Sequence, residues 1–89
     1  MQKILKLEQI TKGFANKRRI EIMQLLYKQP SLDVEVISES IQLGYKAVSE
    51  HLRKMYIAEL IEKEYEGYYV LHKLTARGKL VYSFLRKLR

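Results

Sequence analysis

Eighty-nine residues make one domain with a modest core, a size at which association often supplements stability. The absence of cysteine excludes disulfides and thiolate metal sites, and His51 and His72, far apart in sequence, make a poor metal site without such partners. The net charge of +7 points toward a polyanion, nucleic acid first, and it is uneven: residues 1–30 and 75–89 each carry net +5, while residues 31–74 carry net −3.

The chain opens on "MQKILKLEQI", too charged for a signal peptide, and no apolar run approaches the length of a membrane span, which suggests a cytoplasmic protein. Within "KILKLEQITKGF", Ile4, Leu7, Thr11 and Phe14 recur at helical spacing, with Leu5 and Ile10 widening the stripe. Gly13 is expected to break this first helix, and Asn16 to cap the next. "KRRIEIMQLLYK" predicts a second helix with Ile20, Met23, Leu26 and Tyr27 on one face and Ile22 and Leu25 nearby, stopping before Pro30. In "SLDVEVISESI", Asp33 suits the N-cap, and Leu32 and Ile37 fit a hydrophobic staple across it. This short helix should end near Gln42 and a further one begin near Tyr45, forming a helix-turn-helix over about residues 33–58.

In that further helix Val48, Leu52 and Met55 share the core side, so Lys46, Glu50 and Arg53 point outward. His51 falls at the edge of the core side, where a packed or half-exposed role is expected. After Glu59 the period changes. "LIEKEYEGYYVLHKL" reads as a hairpin centred on Glu66-Gly67, with strands near 60–65 and 68–74. "LTARGKLVYSFLRKL" returns to helix with Thr75 as N-cap and Val81, Phe84, Leu85 and Leu88 on one face; Leu80 and Tyr82 make that face wider than a small core needs. The expected class is α+β, mostly α: a winged helix-turn-helix with a two-stranded wing at about 60–74. Extra terminal helices lie at about 2–12 and 76–88 of a single domain spanning 1–89.

At this point the residues resemble a family. "FANKRRIEIMQLL" is similar to the opening of ArsR-type regulators, in Phe14, Ala15, Asn16, Arg19, Ile22, Met23, Leu25 and Leu26. "LDVEVISESIQLGYKAVSEHLRKM" resembles their helix-turn-helix, with "AVSEHL" the strongest piece. "IAELIEKEYEGYYVLHKLT" resembles the lead into their wing, and "LTARG" looks like the junction of several winged-helix families, including MarR-like ones. The resemblance covers about residues 14–78 and implies a dimeric, sequence-specific DNA-binding regulator whose outer helices build the dimer. Sensing through cysteines does not carry over. Gln42 and Glu59 stand where the family usually has glycine, and Glu50 where it usually has a basic residue.

A recognition helix reads base edges with its outer face, here Tyr45, Lys46, Ser49, Glu50 and Arg53, with Lys54 beside them. Glutamate can accept from a cytosine amino group, and Lys46 and Arg53 are its natural ion-pair partners. Lys17, Arg18 and Arg19 at a helix start are candidate phosphate contacts, as is Tyr68 in a wing tip, "EYEGYY", that lacks basic residues. The apolar positions Ile4, Leu7, Val81, Phe84, Leu85 and Leu88 are the candidate dimer surface, which would set two recognition helices on an inverted repeat in double-stranded DNA. No catalytic set, metal cluster or cofactor motif appears. The rival reading is a winged helix used for protein–protein contact, favoured by the acidic middle and tyrosine-rich wing. A third is nonspecific nucleic-acid binding through the basic ends.

Overall fold

The computed structural model describes residues 1–89 as α1 (Gln2–Phe14), α2 (Lys17–Lys28), α3 (Val34–Ile41), α4 (Tyr45–Ile57), β1 (Ile61–Glu66), β2 (Tyr69–Leu74) and α5 (Ala76–Lys87). Three polar side chains start three of these helices. Asn16 Oδ1 accepts from the amides of Arg18 and Arg19, Asp33 Oδ1 from Val36, and Thr75 Oγ1 from Gly78. Each satisfies an amide that the first helical turn leaves free. The caps, the staple residues Leu32 and Ile37, and the hairpin all lie where the sequence predicts them, with strand limits shifted by about one residue.

The core gathers the inner faces of α2, α3 and α4 with the base of the hairpin. Ile22, Met23, Ile37, Val48, Met55 and Leu60 are fully buried, and Leu26, Leu52, Ala58, Ile61, Leu74 and Tyr82 complete it. On α2 the buried stripe is Arg19, Ile22, Met23 and Leu26, rotated from the expected one, so Ile20 is only half-buried and Tyr27 is exposed. Tyr27 instead packs against Tyr82 of α5, the rings tilted by 44° with 5.0 Å between centroids.

Gly13 does not break α1, which runs on to Phe14. Its role is close approach: a Cβ there would lie 2.4 Å from Ala58 Cβ, so α1 can rest on the end of α4 only because this residue lacks a side chain. The two positions where glycine was missed do take the left-handed backbone, with φ of 54° at Gln42 and 58° at Glu59. Both residues close a helix, as glycine usually does. The local cost is offset by what the turns gain. Leu43 N–H bonds Ser38 O after the first turn, and Leu60 N–H bonds Met55 O after the second.

β1 and β2 pair antiparallel, with Glu66 opposite Tyr69 across a two-residue turn. Gly67, φ 61°, occupies the first turn position, where a positive φ suits the twist of a tight hairpin. Alternation gives the hairpin two faces. Ile61, Lys63 and Tyr65 lie with Leu74, His72 and Val70; Glu62, Glu64 and Glu66 lie with Lys73, Leu71 and Tyr69. One residue extends the sheet: Leu32 exchanges both backbone hydrogen bonds with His72 (3.1 and 2.8 Å), and Ser31, φ 68°, turns the chain into that bridge. His72 is buried there, its Nδ1 3.2 Å from the Leu32 carbonyl oxygen.

Candidate nucleic-acid interface

α4 buries Val48, Leu52 and Met55 and leaves its other side in water. That exposed side carries Tyr45, Lys46, Glu50, Arg53 and Lys54, with Ser49 half-buried at its edge. The pattern follows from the helical repeat: residues four before and three after Glu50 fall on the same face. Arg53 makes use of this. Its Nη2 donates to Glu50 Oε1 at 2.6 Å and its Nε to Oε2 at 3.1 Å, a bidentate pair on an exposed surface. The hydrogen bond from Arg53 holds the Glu50 carboxyl below its ordinary range, so the acid stays ionised. Lys46 takes no part in this pair.

Beside this face runs a cleft of about 370 Å³ between α4, the start of α3 and the hairpin. It brings together four of the sequence-predicted residues, Tyr45, Ser49 and Arg53 from α4 and Tyr68 from the hairpin tip, where Tyr68 is fully exposed. Lys63 joins them and was not anticipated. It immediately precedes the acidic tip, exposed on the same face of β1 as buried Ile61, with its ammonium 4.5 Å from the Tyr56 ring centre. The period-two alternation with Ile61 would have placed it there. The cleft also receives Asp33 and Glu35, so its charge is mixed. The hairpin's opposite face is acidic: Lys73 bridges Glu62 and Glu64 at 3.5 and 3.4 Å, leaving Glu66 without a partner.

The cluster at the start of α2 is split. Lys17 is exposed. Arg18 is partly exposed but tied inward, its Nη1 donating to Ile41 O at 3.0 Å and to Glu21 at 3.2 Å, which fastens α2 to the end of α3. Arg19 is a correction to the sequence reading. It is not a solvated charge at a helix start but a buried residue, 9% exposed, because its position falls on the inner stripe of α2. Its Nη1 donates to Lys12 O at 2.7 Å and its Nε to His51 Nδ1 at 3.1 Å. Burial first, and then the Arg19 charge, push the His51 pKa down, so the ring is the neutral acceptor that this bond requires.

The terminal helices present their apolar residues unevenly. Ile4, Leu7, Phe84 and Leu88 are exposed, all at 58% or more, and Leu80 is more exposed still. Val81 packs partly against the protein's own core, and Leu85 is half-buried. These two therefore differ from the fully outward face that the spacing suggests. No helix is long and apolar enough to cross a membrane.

The sequence matches the model of a bacterial regulatory protein family, the arsR family, over residues 16–63, more than half of the chain. No curated protein matches it by sequence. Among solved structures, HlyU from Vibrio cholerae superposes with a TM-score of 0.85 at 26% identity, over 97% of this chain and 94% of that one. A homodimeric winged helix-turn-helix DNA-binding domain from Mycobacterium bovis gives 0.87 at 21% identity, over 96% and 79%. The transcriptional repressor PagR of Bacillus anthracis gives 0.81 at 23% identity, over 99% and 98%.

Proposed function

The chain belongs to the arsR family of bacterial regulatory proteins, and from that premise we propose that it is a homodimeric transcriptional regulator that binds specific sequences in double-stranded DNA. A cytoplasmic location goes with that reading. The observation that carries it is the division of α4 into a fully buried stripe and an outward face holding Lys46, Ser49, Glu50 and Arg53. A helix with that division can enter a major groove while its back stays anchored, and these side chains have donors and acceptors for base edges. Lys46 and Arg53 would donate to guanine; Glu50 would accept from cytosine or hold Arg53 at the angle a base requires. Tyr45, Tyr68, Lys17, Lys54 and the free edge of Arg18 would meet phosphates, which fix register without reading sequence. The net charge of +7 supports the polyanion.

The exposed residues Ile4, Leu7, Leu80, Phe84 and Leu88 support a second copy of the chain packed through α1 and α5. The relative from Mycobacterium bovis is homodimeric. A two-fold axis would place two α4 helices on half-sites roughly 34–36 Å apart, which makes the target an inverted repeat. Selection of bound sequences from a random duplex pool tests this directly. Enrichment of an inverted repeat is the expected outcome, and absence of any enriched sequence would sink the reading.

One observation favours a second reading, a winged helix that contacts protein. The outer face of the hairpin carries Glu62, Glu64 and Glu66, and Tyr65, Tyr68 and Tyr69 are all exposed. That surface repels phosphates and suits a basic partner. The same selection decides between the two.

A further inference from the structure

The second groove of the protein runs between α1 and α4, on the flank of α4 away from the hairpin cleft. Its lining includes Lys12 and Gly13 from α1, Arg19 from α2, and Arg53 and Lys54 from α4, and no acidic residue. Its floor is the Gly13–Ala58 contact that lets the two helices touch. Arg19 is the unusual member. A cation that is nine-tenths buried is expected to have a counter-charge, because desolvation without one is costly. No carboxylate lies within ion-pairing distance of Arg19. Its protein partners are a carbonyl oxygen and a neutral imidazole, neither of which cancels a positive charge.

The direction of the guanidinium adds to this. Nε and Nη1 are engaged with His51 and Lys12 O, while Nη2 has no partner in the protein. The protein contains no buried side-chain nitrogen that lacks a hydrogen bond, so Nη2 is not sealed in, and Arg19 is among the residues that line the groove. The two existing bonds fix the plane of the guanidinium, so the free edge is held ready. Lys54 has no ion-pair partner, and Lys12 has only an exposed contact with Glu8 at 3.6 Å, worth little in water. Arg53 is held aside by Glu50.

We infer that the α1–α4 groove is an oxyanion site of the phosphate class, with Arg19 Nη2 as its fixed donor and the Lys12 and Lys54 ammonium groups closing over it. A tetrahedral, multiply charged anion suits this set: it offers oxygens in several directions to donors on three helices, and it supplies the charge that Arg19 lacks. Two sources share this chemistry. One is a backbone phosphate of the duplex flanking α4, an arm that rests on the DNA reading above. The other is a free phosphate compound, which does not depend on that reading.

The test starts with inorganic phosphate titrated into the whole protein, against chloride at equal ionic strength, and followed by amide NMR. Saturable shifts at Gly13, Arg19 and Lys54 are expected, and they should vanish in a Lys12→Gln/Lys54→Gln variant. Both side chains are exposed, so the fold should persist, as circular dichroism would check. A Lys3→Gln/Lys28→Gln variant carries the same charge change elsewhere on the surface. Binding to the selected duplex then separates the sources. Lys54 is a candidate DNA contact in its own right, so the DNA comparison sets Lys12→Gln against Lys3→Gln. If a duplex phosphate fills the groove, Lys12→Gln binds every sequence more weakly than Lys3→Gln does, and its salt slope falls by about one. Inorganic phosphate then competes with the duplex. If the occupant is a free anion, Lys12→Gln and Lys3→Gln bind DNA alike and phosphate binds the complex as well as the free protein. If no duplex binds at all, the phosphate titration alone decides the site. Phosphate shifts no larger than those from chloride, with Lys12→Gln and Lys3→Gln indistinguishable in affinity and slope wherever a duplex does bind, overturn the inference.

Discussion

Arg53 grips Glu50 through two hydrogen bonds, so the acid and the base at the centre of the exposed face of α4 meet any partner as one unit. The negative charge that would oppose a phosphate is thereby masked, and the guanidinium is held at a fixed angle with one edge spent. Lys46, Ser49, Glu50 and Arg53 thus reduce to one ion pair, one free lysine and one hydroxyl.

Replacing Glu50 with alanine releases Arg53 and removes the acceptor. On one random duplex pool, Glu50→Ala should relax the preference at one position of each half-site, at a cost of about 1–3 kcal/mol of discrimination. Affinity for unrelated sequences should hold or rise, because a repulsive charge near phosphates is gone. Identical preferences at every position would leave the pair a solvated feature of the helix surface.

Phe84 and Leu88 are exposed on α5, and Ile4 and Leu7 on α1. Placing aspartate at Phe84 or Leu88 should convert a dimer to a monomer in sedimentation and weaken operator binding. Neither change touches the buried core, so circular dichroism should stay native. An unmodified chain that is already monomeric at concentrations on the order of tens of micromolar would refute the dimer.

A Cβ on Gly78 would lie 2.1 Å from the carbonyl oxygen of Leu60, which is backbone and cannot swing aside. Gly78→Ala should therefore shift α5 and cost about 1–3 kcal/mol in urea denaturation, with an unchanged m-value. Gly44 is the contrast, since nothing lies within 4 Å of its missing side chain. Gly44→Ala should cost clearly less, and equal losses would mean that the close approach at Gly78 is not what matters.

Burial pushes the pKa values of His51 and His72 below the ordinary 6.5. The charged form is thus disfavoured in the folded state, and the unfolded chain binds protons first as pH falls. The stabilisation is complete above the unfolded value and is lost as pH drops through about 6.5 toward the depressed folded values. Denaturation at about pH 7.5 and about pH 5.5 should show lower stability at the acidic point. His51→Gln and His72→Gln together should reduce that difference; no reduction would assign the loss to other groups.

Local signals in the sequence were easy to read where a side chain acts on its own neighbourhood. Asn16, Asp33 and Thr75 announce their helices because a cap needs only the next few amides. The face of α4 was legible for the same reason. Arg19 was misread because a charged residue in a basic cluster looks solvated, although its spacing to Ile22, Met23 and Leu26 already put it on the inner stripe. Gly13 was misread because a contact with Ala58, 45 positions away in the chain, leaves no local trace. The Leu32–His72 bridge was hidden likewise: a single residue joining a sheet has no period. The left-handed backbone at Gln42 and Glu59 could be anticipated only through the family resemblance, since neither residue type signals it.

The turn Ala58-Glu59-Leu60, where α4 ends, is clasped from two sides. From α1, Gly13 rests on Ala58 and Lys6 reaches Glu59 at 3.4 Å. From the α5 side, Thr75 Oγ1 donates to Glu59 O at 2.7 Å, Arg77 donates to Ala58 O and to the Glu59 carboxylate, and Gly78 abuts Leu60. The two helices with the exposed apolar faces are therefore the same two that hold the tail of α4, and α4 works as a tiller pinned at that end. In a symmetric pair, any twist between copies would swing both tillers at once and in opposite senses, so the gap between their tips would register the twist twice. Operators with one base pair added or removed between half-sites would then act as a ruler for how the two copies are seated.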